Sequence, residues 1–222
     1  MKYGKDIGKK FYEDGGVRRY PGNTVVADIL PGNSAYDVML HLRQMVLDAG
    51  FGENLILLPS DSYHMTVIRG LNDQVRTEKF WPEKLAKDIP MEAVDDYVSA
   101  AIERVGLPGP IRMKFDSVFW NASCCIVHLN PADENQKSIL SNFRDRAADA
   151  IGLHLPGHDN YRFHISLGYT RVVAEGEDVE RLEKLKNEMD VYIAGQPPFE
   201  TAAPYMAYYN DMLAFSPVRL PR

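Results

Sequence analysis

Two stretches of this chain, one hundred positions apart, carry the same apolar and polar pattern, and that register restricts it to a duplicated architecture. Val26 matches Ile126, Tyr63 matches Phe163, Thr66 matches Ser166 and Val67 matches Leu167. Pro31 stands 33 residues before His64, and Pro131 stands 33 residues before His164. Chance does not keep two strands and an intervening helix in step, and a repeat at fixed offset constrains the fold before any local reading does. Each unit reads strand–helix–strand–helix–strand. The expected fold is α+β and bilobal: an N-terminal arm over 1–23, then one domain over 24–222. That domain is built from pseudo-twofold β-α-β-α-β units of about 24–120 and 121–222, with a cleft between them.

Local signals supply the elements. Thr24 to Leu30 is β-branched and apolar and predicts a buried strand. The stripe Val38, Leu42, Met45, Val46, Ala49 has helical spacing, with Asn33 or Ser34 to cap it and Gly50 to stop it. Strands follow at 55–59 and 63–70. The segment 74–89, with Trp81 and interrupted by Pro82, predicts loop with a short helix. A helix over 91–105 turns Val94, Tyr97, Val98, Ala101, Ile102 and Val105 inward, and 111–120 is a strand. In the second unit, 124–129 is a strand. Asp133 with Gln136 then caps a helix in the manner of a capping box, with Ile139, Phe143, Ala147 and Ile151 as its stripe. After the strand over 161–170, a helix over 177–193 carries Val179, Leu182, Leu185 and Met189 inward, with Glu180–Lys184 as an i, i+4 pair on its solvated face. One or two closing strands are expected after residue 199.

The chemistry sits where the repeats agree. Tyr63-His64-Met65-Thr66-Val67 and Phe163-His164-Ile165-Ser166-Leu167 share one pattern, aromatic–His–x–hydroxyl–apolar. Side chains alternate along a strand, so His64 with Thr66, and His164 with Ser166, face one way while their neighbours face the core. With six His and 15 Ser or Thr in 222 residues, about 0.4 His-x-Ser/Thr triplets would arise by chance. Two, in strand context and repeat register, make a pattern. Brought together, the four groups suit in-line attack on phosphorus. One imidazole takes a proton, the other gives one, and the hydroxyls hold the non-bridging oxygens.

Composition sets limits on the ligand. A net charge of −6 opposes binding of duplex or extended RNA, which needs many Lys/Arg–phosphate contacts, so a small ligand or a single strand end is expected. The two cysteines are adjacent, Cys124 and Cys125, and no zinc quartet exists. No apolar run suits a signal peptide or membrane helix, so a soluble cytoplasmic protein without membrane contact is expected. His154 and His158 have metal-like spacing near Asp159, but Pro156 and Gly157 between them remove the helix such a site requires. His41 and His128 read as structural. Arg162, by parity with His164, and Trp120 and Tyr169, as stacking rings, are candidate substrate contacts, each with a blander reading as strand-end or core residue. Arg69 has the wrong parity to join His64.

The paired motifs on duplicated units resemble the 2H phosphoesterase superfamily, the LigT-like fold, over most of the chain from about Thr24. The N-terminal arm with Pro21-Gly22-Asn23-Thr24-Val25 is similar to a microbial branch of it. The resemblance implies antiparallel central strands and hydrolysis of 2′,3′-cyclic or 1″,2″-cyclic phosphates, or of 2′,5′ linkages, in a small nucleotide or RNA end. It also makes His64, Thr66, His164 and Ser166 the catalytic and phosphate-binding residues; no cofactor and no metal are expected, since an imidazolium and the hydroxyls can neutralise the phosphoryl charge. Serine at 166 replaces the commoner threonine and keeps the hydroxyl. The rival readings are a nucleotide-binding module without turnover and a metallohydrolase pairing His with nearby Asp.

Overall fold

A computed structural model describes residues 1–219. In chain order the elements are β1 (Gly22–Asp28), α1 (Ser34–Asp48), β2 (Leu55–Leu57), β3 (His64–Asn72), α2 (Met91–Val105), β4 (Arg112–Trp120), β5 (Cys124–Pro131), α3 (Glu134–Ile151), β6 (Phe163–Thr170), α4 (Glu177–Ala194), β7 (Phe199–Glu200) and β8 (Tyr205–Tyr209). The strands form one antiparallel sheet in the order β7-β4-β5-β6-β3-β1-β8, with β2 added beside β6. The two motif strands, β3 and β6, are therefore neighbours at its centre. No helix of the described residues is long and apolar enough to cross a membrane.

The repeat register holds down to individual backbone pairs. Thr24, Val25, Val26, Ala27 and Asp28 of β1 face Arg69, Ile68, Thr66, Met65 and His64 of β3. Cys124, Cys125, Ile126, Val127 and His128 of β5 face Tyr169, Gly168, Ser166, Ile165 and His164 of β6, each residue one hundred positions on. Between β3 and β6 the single paired position is Met65 with Ile165, so the pseudo-twofold runs through that pair. The outer strands trade places. β4, from the first half of the sequence, pairs with β5, while β8, from the C-terminus, pairs with β1. Each half of the sheet is thus completed by a strand from the other half of the sequence.

The helices pack on one face of this sheet, α2 beside α3 and α1 beside α4. Tyr63, Met65, Val67, Phe163, Ile165 and Leu167 all enter that core, as alternation requires. Asn33 caps α1 through Ala35 N–H, and Asp133 caps α3 through Gln136 N–H. The capping box at α3 is only half made, because the Gln136 amide oxygen accepts from Arg112 N–H instead of reaching back. Four local expectations are corrected. Ile139 and Val179 are exposed, and Leu140 takes the core position on α3. The segment 74–89 makes turns but no helix, since prolines at 82 and 90 deny a helix room to nucleate. On α4, Lys184 pairs with Glu188 rather than Glu180.

Candidate active site

The face of the sheet away from the helices carries a cleft with about 370 Å³ of free space, lined by His64, Thr66, His164 and Ser166 together. Antiparallel pairing about Met65 and Ile165 places His64 across from Ser166 and Thr66 across from His164. The two imidazoles lie on one diagonal of a square and the two hydroxyls on the other, with diagonal neighbours roughly 7–8 Å apart at the backbone. The convergence expected from sequence is what the strands deliver.

Both rings are held alike. His64 Nδ1 lies 2.7 Å from the Ser62 carbonyl oxygen, and His164 Nδ1 lies 2.9 Å from the Arg162 carbonyl oxygen. A carbonyl can only accept, so each Nδ1 carries the hydrogen, and a neutral ring keeps its lone pair on Nε2, turned to the cleft. Phe215 packs on His64 with centroids 4.2 Å apart, and Tyr161 lies 6.2 Å from His164. Burial pushes the His64 pKa down to about 4, with the His164 charge adding to it and the Ser62 carbonyl opposing it. Burial also lowers His164, helped by the Arg69 cation and opposed by the Arg162 carbonyl. Both rings are therefore neutral in the free protein near pH 7. The Thr66 side chain hydrogen-bonds the Tyr161 hydroxyl, while among the described residues the Ser166 hydroxyl has no hydrogen-bond partner and is left to a ligand.

Of the stacking and binding candidates, Tyr169 lines the cleft, its hydroxyl donating to Met212 Sδ at 3.3 Å. Trp120 does not; it is buried edge-on to Phe51, centroids 5.9 Å apart. Arg162 does not either, because its guanidinium donates to Asp116 Oδ2 at 2.6 Å. It precedes β6, so strand parity does not govern where it points.

Arg69, set aside on parity, does line the cleft. A β-bulge explains the difference. Val25 faces Ile68 while Val26 faces Thr66, leaving Val67 as an extra residue in β3. The same step in β6 leaves Leu167 extra, with Cys125 facing Gly168 and Ile126 facing Ser166. One extra residue inverts the parity beyond it, so Arg69 and Tyr169 turn to the face of the histidines. The bulge carbonyls are taken by outside donors: Arg144 Nη1 to Val67 O at 2.8 Å, and Leu58 N–H to Leu167 O at 3.0 Å. The sequence signal was the consecutive apolar pair Val67-Ile68, which breaks alternation just before Arg69.

Two further walls come from the ends of the domain. Lys10 and Tyr20 of the N-terminal arm line the cleft, as do Tyr209 on β8 and Met212 and Phe215 beyond it. The arm is fastened by Gly4 N–H to Arg171 O at 2.9 Å and Lys5 N–H to Ala122 O at 2.7 Å. Among the described residues no carboxylate lines the cleft, whereas Lys10 and Arg69 do, so an acidic chain presents a locally cationic hollow. His154 and His158 lie elsewhere, bonded to Asp149 and Asp145 at 2.8 Å each. No group of three or more His, Cys, Asp or Glu among the described residues could hold a metal ion. His128 is buried and edge-on to His164, centroids 6.5 Å apart, and His41 stacks on Tyr192 at 4.1 Å.

Comparison with known proteins places this geometry. A family model described as "2H-phosphodiest: Domain of unknown function (DUF1868)" matches residues 10–123. The structure of the conserved protein of unknown function ATU0111 from Agrobacterium tumefaciens str. C58 is similar at TM-score 0.86 and 28% identity, over 97% of this chain and 91% of that one. More distant are E. coli LigT complexed with phosphate (TM-score 0.47, 11% identity, 91% and 96% of the two chains) and TT0787 of Thermus thermophilus (0.45, 12%, 84% and 85%). No curated protein matches the chain.

Proposed function

Because this chain belongs to the 2H-phosphodiesterase family described as DUF1868, we propose that it hydrolyses a cyclic or 2′-linked phosphodiester of a small nucleotide or RNA end, with His64 and His164 as the acid/base pair. The observation that carries this is the crossed arrangement of two imidazoles and two hydroxyls about the Met65–Ile165 pair, all four lining one cleft. Phosphorus centred there has an imidazole toward each apical position. One Nε2 takes the proton of the attacking water, and the other ring gives a proton to the departing ribose oxygen. Thr66 and Ser166 donate to the non-bridging oxygens, where charge builds up. Either ring can fill either role, depending on which way the diester lies. Tyr169, with Lys10 over its ring, walls the end of the cleft left for the base.

Incubating 2′,3′-cyclic nucleotides with the protein, with and without EDTA, and resolving the products tests this reading. Opening of the ring in both conditions is expected. Binding without turnover would favour a non-catalytic module, and loss of turnover in EDTA a metallohydrolase.

The titrations give a second test. A productive free enzyme needs one neutral and one protonated ring, and both rings titrate below their ordinary 6.5, His64 at about 4. The kcat/KM profile should therefore be a bell whose maximum lies below pH 6.5, falling as pH rises because the proton donor is lost. The bound diester anion favours the protonated ring, so the kcat profile should lie at higher pH than the kcat/KM profile. A flat kcat/KM between pH 5 and 9 would contradict the paired imidazoles.

A further inference from the structure

The pseudo-twofold that relates β3 to β6 is broken at the position five residues after each motif histidine. There the first repeat has Arg69 and the second has Tyr169, and the twin bulges turn both into the cleft. Because β3 and β6 run antiparallel, these two lie at opposite ends of the site. The order along the pair is Tyr169, then His64 with Ser166, then Thr66 with His164, then Arg69. A symmetric reaction centre thus sits between Tyr169, with Lys10 over its ring, at one end and Arg69 at the other.

Arg69 is not committed to the protein. Among the described residues it has no ion pair, and no carboxylate lines the cleft to neutralise it. Lys10, the other cation there, is tied to Asp6 at 3.2 Å and lies over the Tyr169 ring at 4.7 Å. Arg69 also stands beyond the groups that suffice for the scissile phosphate. Its backbone is three residues past Thr66, roughly 7–10 Å along a strand shortened by the bulge. That is far enough to meet a separate group of the same ligand. A guanidinium fork in such a place suits a phosphate, and the free volume of about 370 Å³ is of nucleotide scale.

We propose that Arg69 forms a second anion subsite beside His164, and that the cleft takes a nucleotide carrying a phosphate in addition to the diester held between the histidines. This rests on the phosphodiesterase reading for the first phosphate. It breaks the symmetry of the site, since the second phosphate directs one end of the substrate to His164 and leaves the base for Tyr169.

Titration calorimetry with adenosine 2′-monophosphate and adenosine 2′,5′-bisphosphate, at one ionic strength, separates the subsite from general attraction. The wild-type protein should bind the bisphosphate about 10–100-fold more tightly, the range for a charge-assisted contact. In Arg69→Gln that ratio should collapse to within about threefold, and Arg69→Lys should keep part of it, as a point charge without the fork. No wild-type preference, no binding of either ligand, or an Arg69→Gln loss shared equally by both ligands would overturn the subsite; the last would put Arg69 on the common phosphate. Turnover of 2′,3′-cyclic AMP by the wild-type preparation reports on the phosphodiesterase reading alone. Preference without turnover sinks that reading, and turnover without preference sinks the subsite.

Discussion

Replacing His64 or His164 with alanine should each lower kcat on a 2′,3′-cyclic nucleotide by about 10²–10⁴-fold, the usual contribution of a positioned acid or base. In the proposed reaction each ring meets the reacting atoms through Nε2, because Nδ1 is occupied by the Ser62 or Arg162 carbonyl. Neither ring can stand in for the other, since they lie on opposite sides of the Met65–Ile165 centre. The double variant should be little worse than either single one, as groups that act as a unit lose their effect together. Circular dichroism and thermal melting of each variant should match the wild-type protein closely, for the rings sit at the cleft surface and not in the packed face. A near-wild-type kcat in either variant would end the two-histidine account.

The second large effect is expected at a residue that touches no substrate. Arg144 on α3 is buried. It donates to the Val67 carbonyl at 2.8 Å and the His158 carbonyl at 3.0 Å, and its guanidinium lies 4.2 Å from the Tyr161 ring centre. Val67 is the extra residue of the bulge that turns Arg69 into the cleft. Arg144→Met keeps the bulk and removes the donors, leaving two carbonyls without a protein partner at a cost of about 2–4 kcal/mol. For a chain of this size that corresponds to a fall in Tm of roughly 4–16 °C. Activity should fall too, because a bulge without its anchor can relax toward plain alternation and carry Arg69 away from the ligand. Arg144→Lys should recover part of the stability through one of the two contacts. A melting temperature for Arg144→Met within about 2 °C of wild type would show that the bulge holds itself.

The paired histidines and Arg144 mark the boundary between what is local and what is not. His64 and Thr66 could be placed on one face from alternation alone, because two residues of spacing is a property of any extended strand. The helices were legible for the same reason: the 3.6-residue stripe of α2 and the Asn33 and Asp133 caps act within a turn or two of chain. Where the stripe was misjudged, at Ile139 and Val179, the position lay at the margin of the apolar face, and the packing of the neighbouring helix and strand decided it.

Lys10 and Phe215 were out of reach by such means, and Arg69 was marked only by the apolar pair Val67-Ile68 that breaks alternation before it. Arg69 enters the cleft because β3 takes one residue more than β1 can pair, and which partner β3 would meet is not written in that pair. Lys10 arrives on an arm fastened to Arg171 and Ala122, and Phe215 on a segment held by the bridge between Tyr208 and Ser216. The exchange of outer strands, β4 to β5 and β8 to β1, is likewise a choice among edges that look equivalent along the chain.

The hundred-residue register and its two His-x-hydroxyl triplets were thus legible in the linear order of residues, since periodicity and alternation depend only on a residue's near neighbours. Which strands meet, where they slip by one, and which distant side chains wall the cleft were settled only once the chain had folded. Those outcomes depend on hydrogen bonds and packing between segments whose partners are chosen when the whole sheet closes.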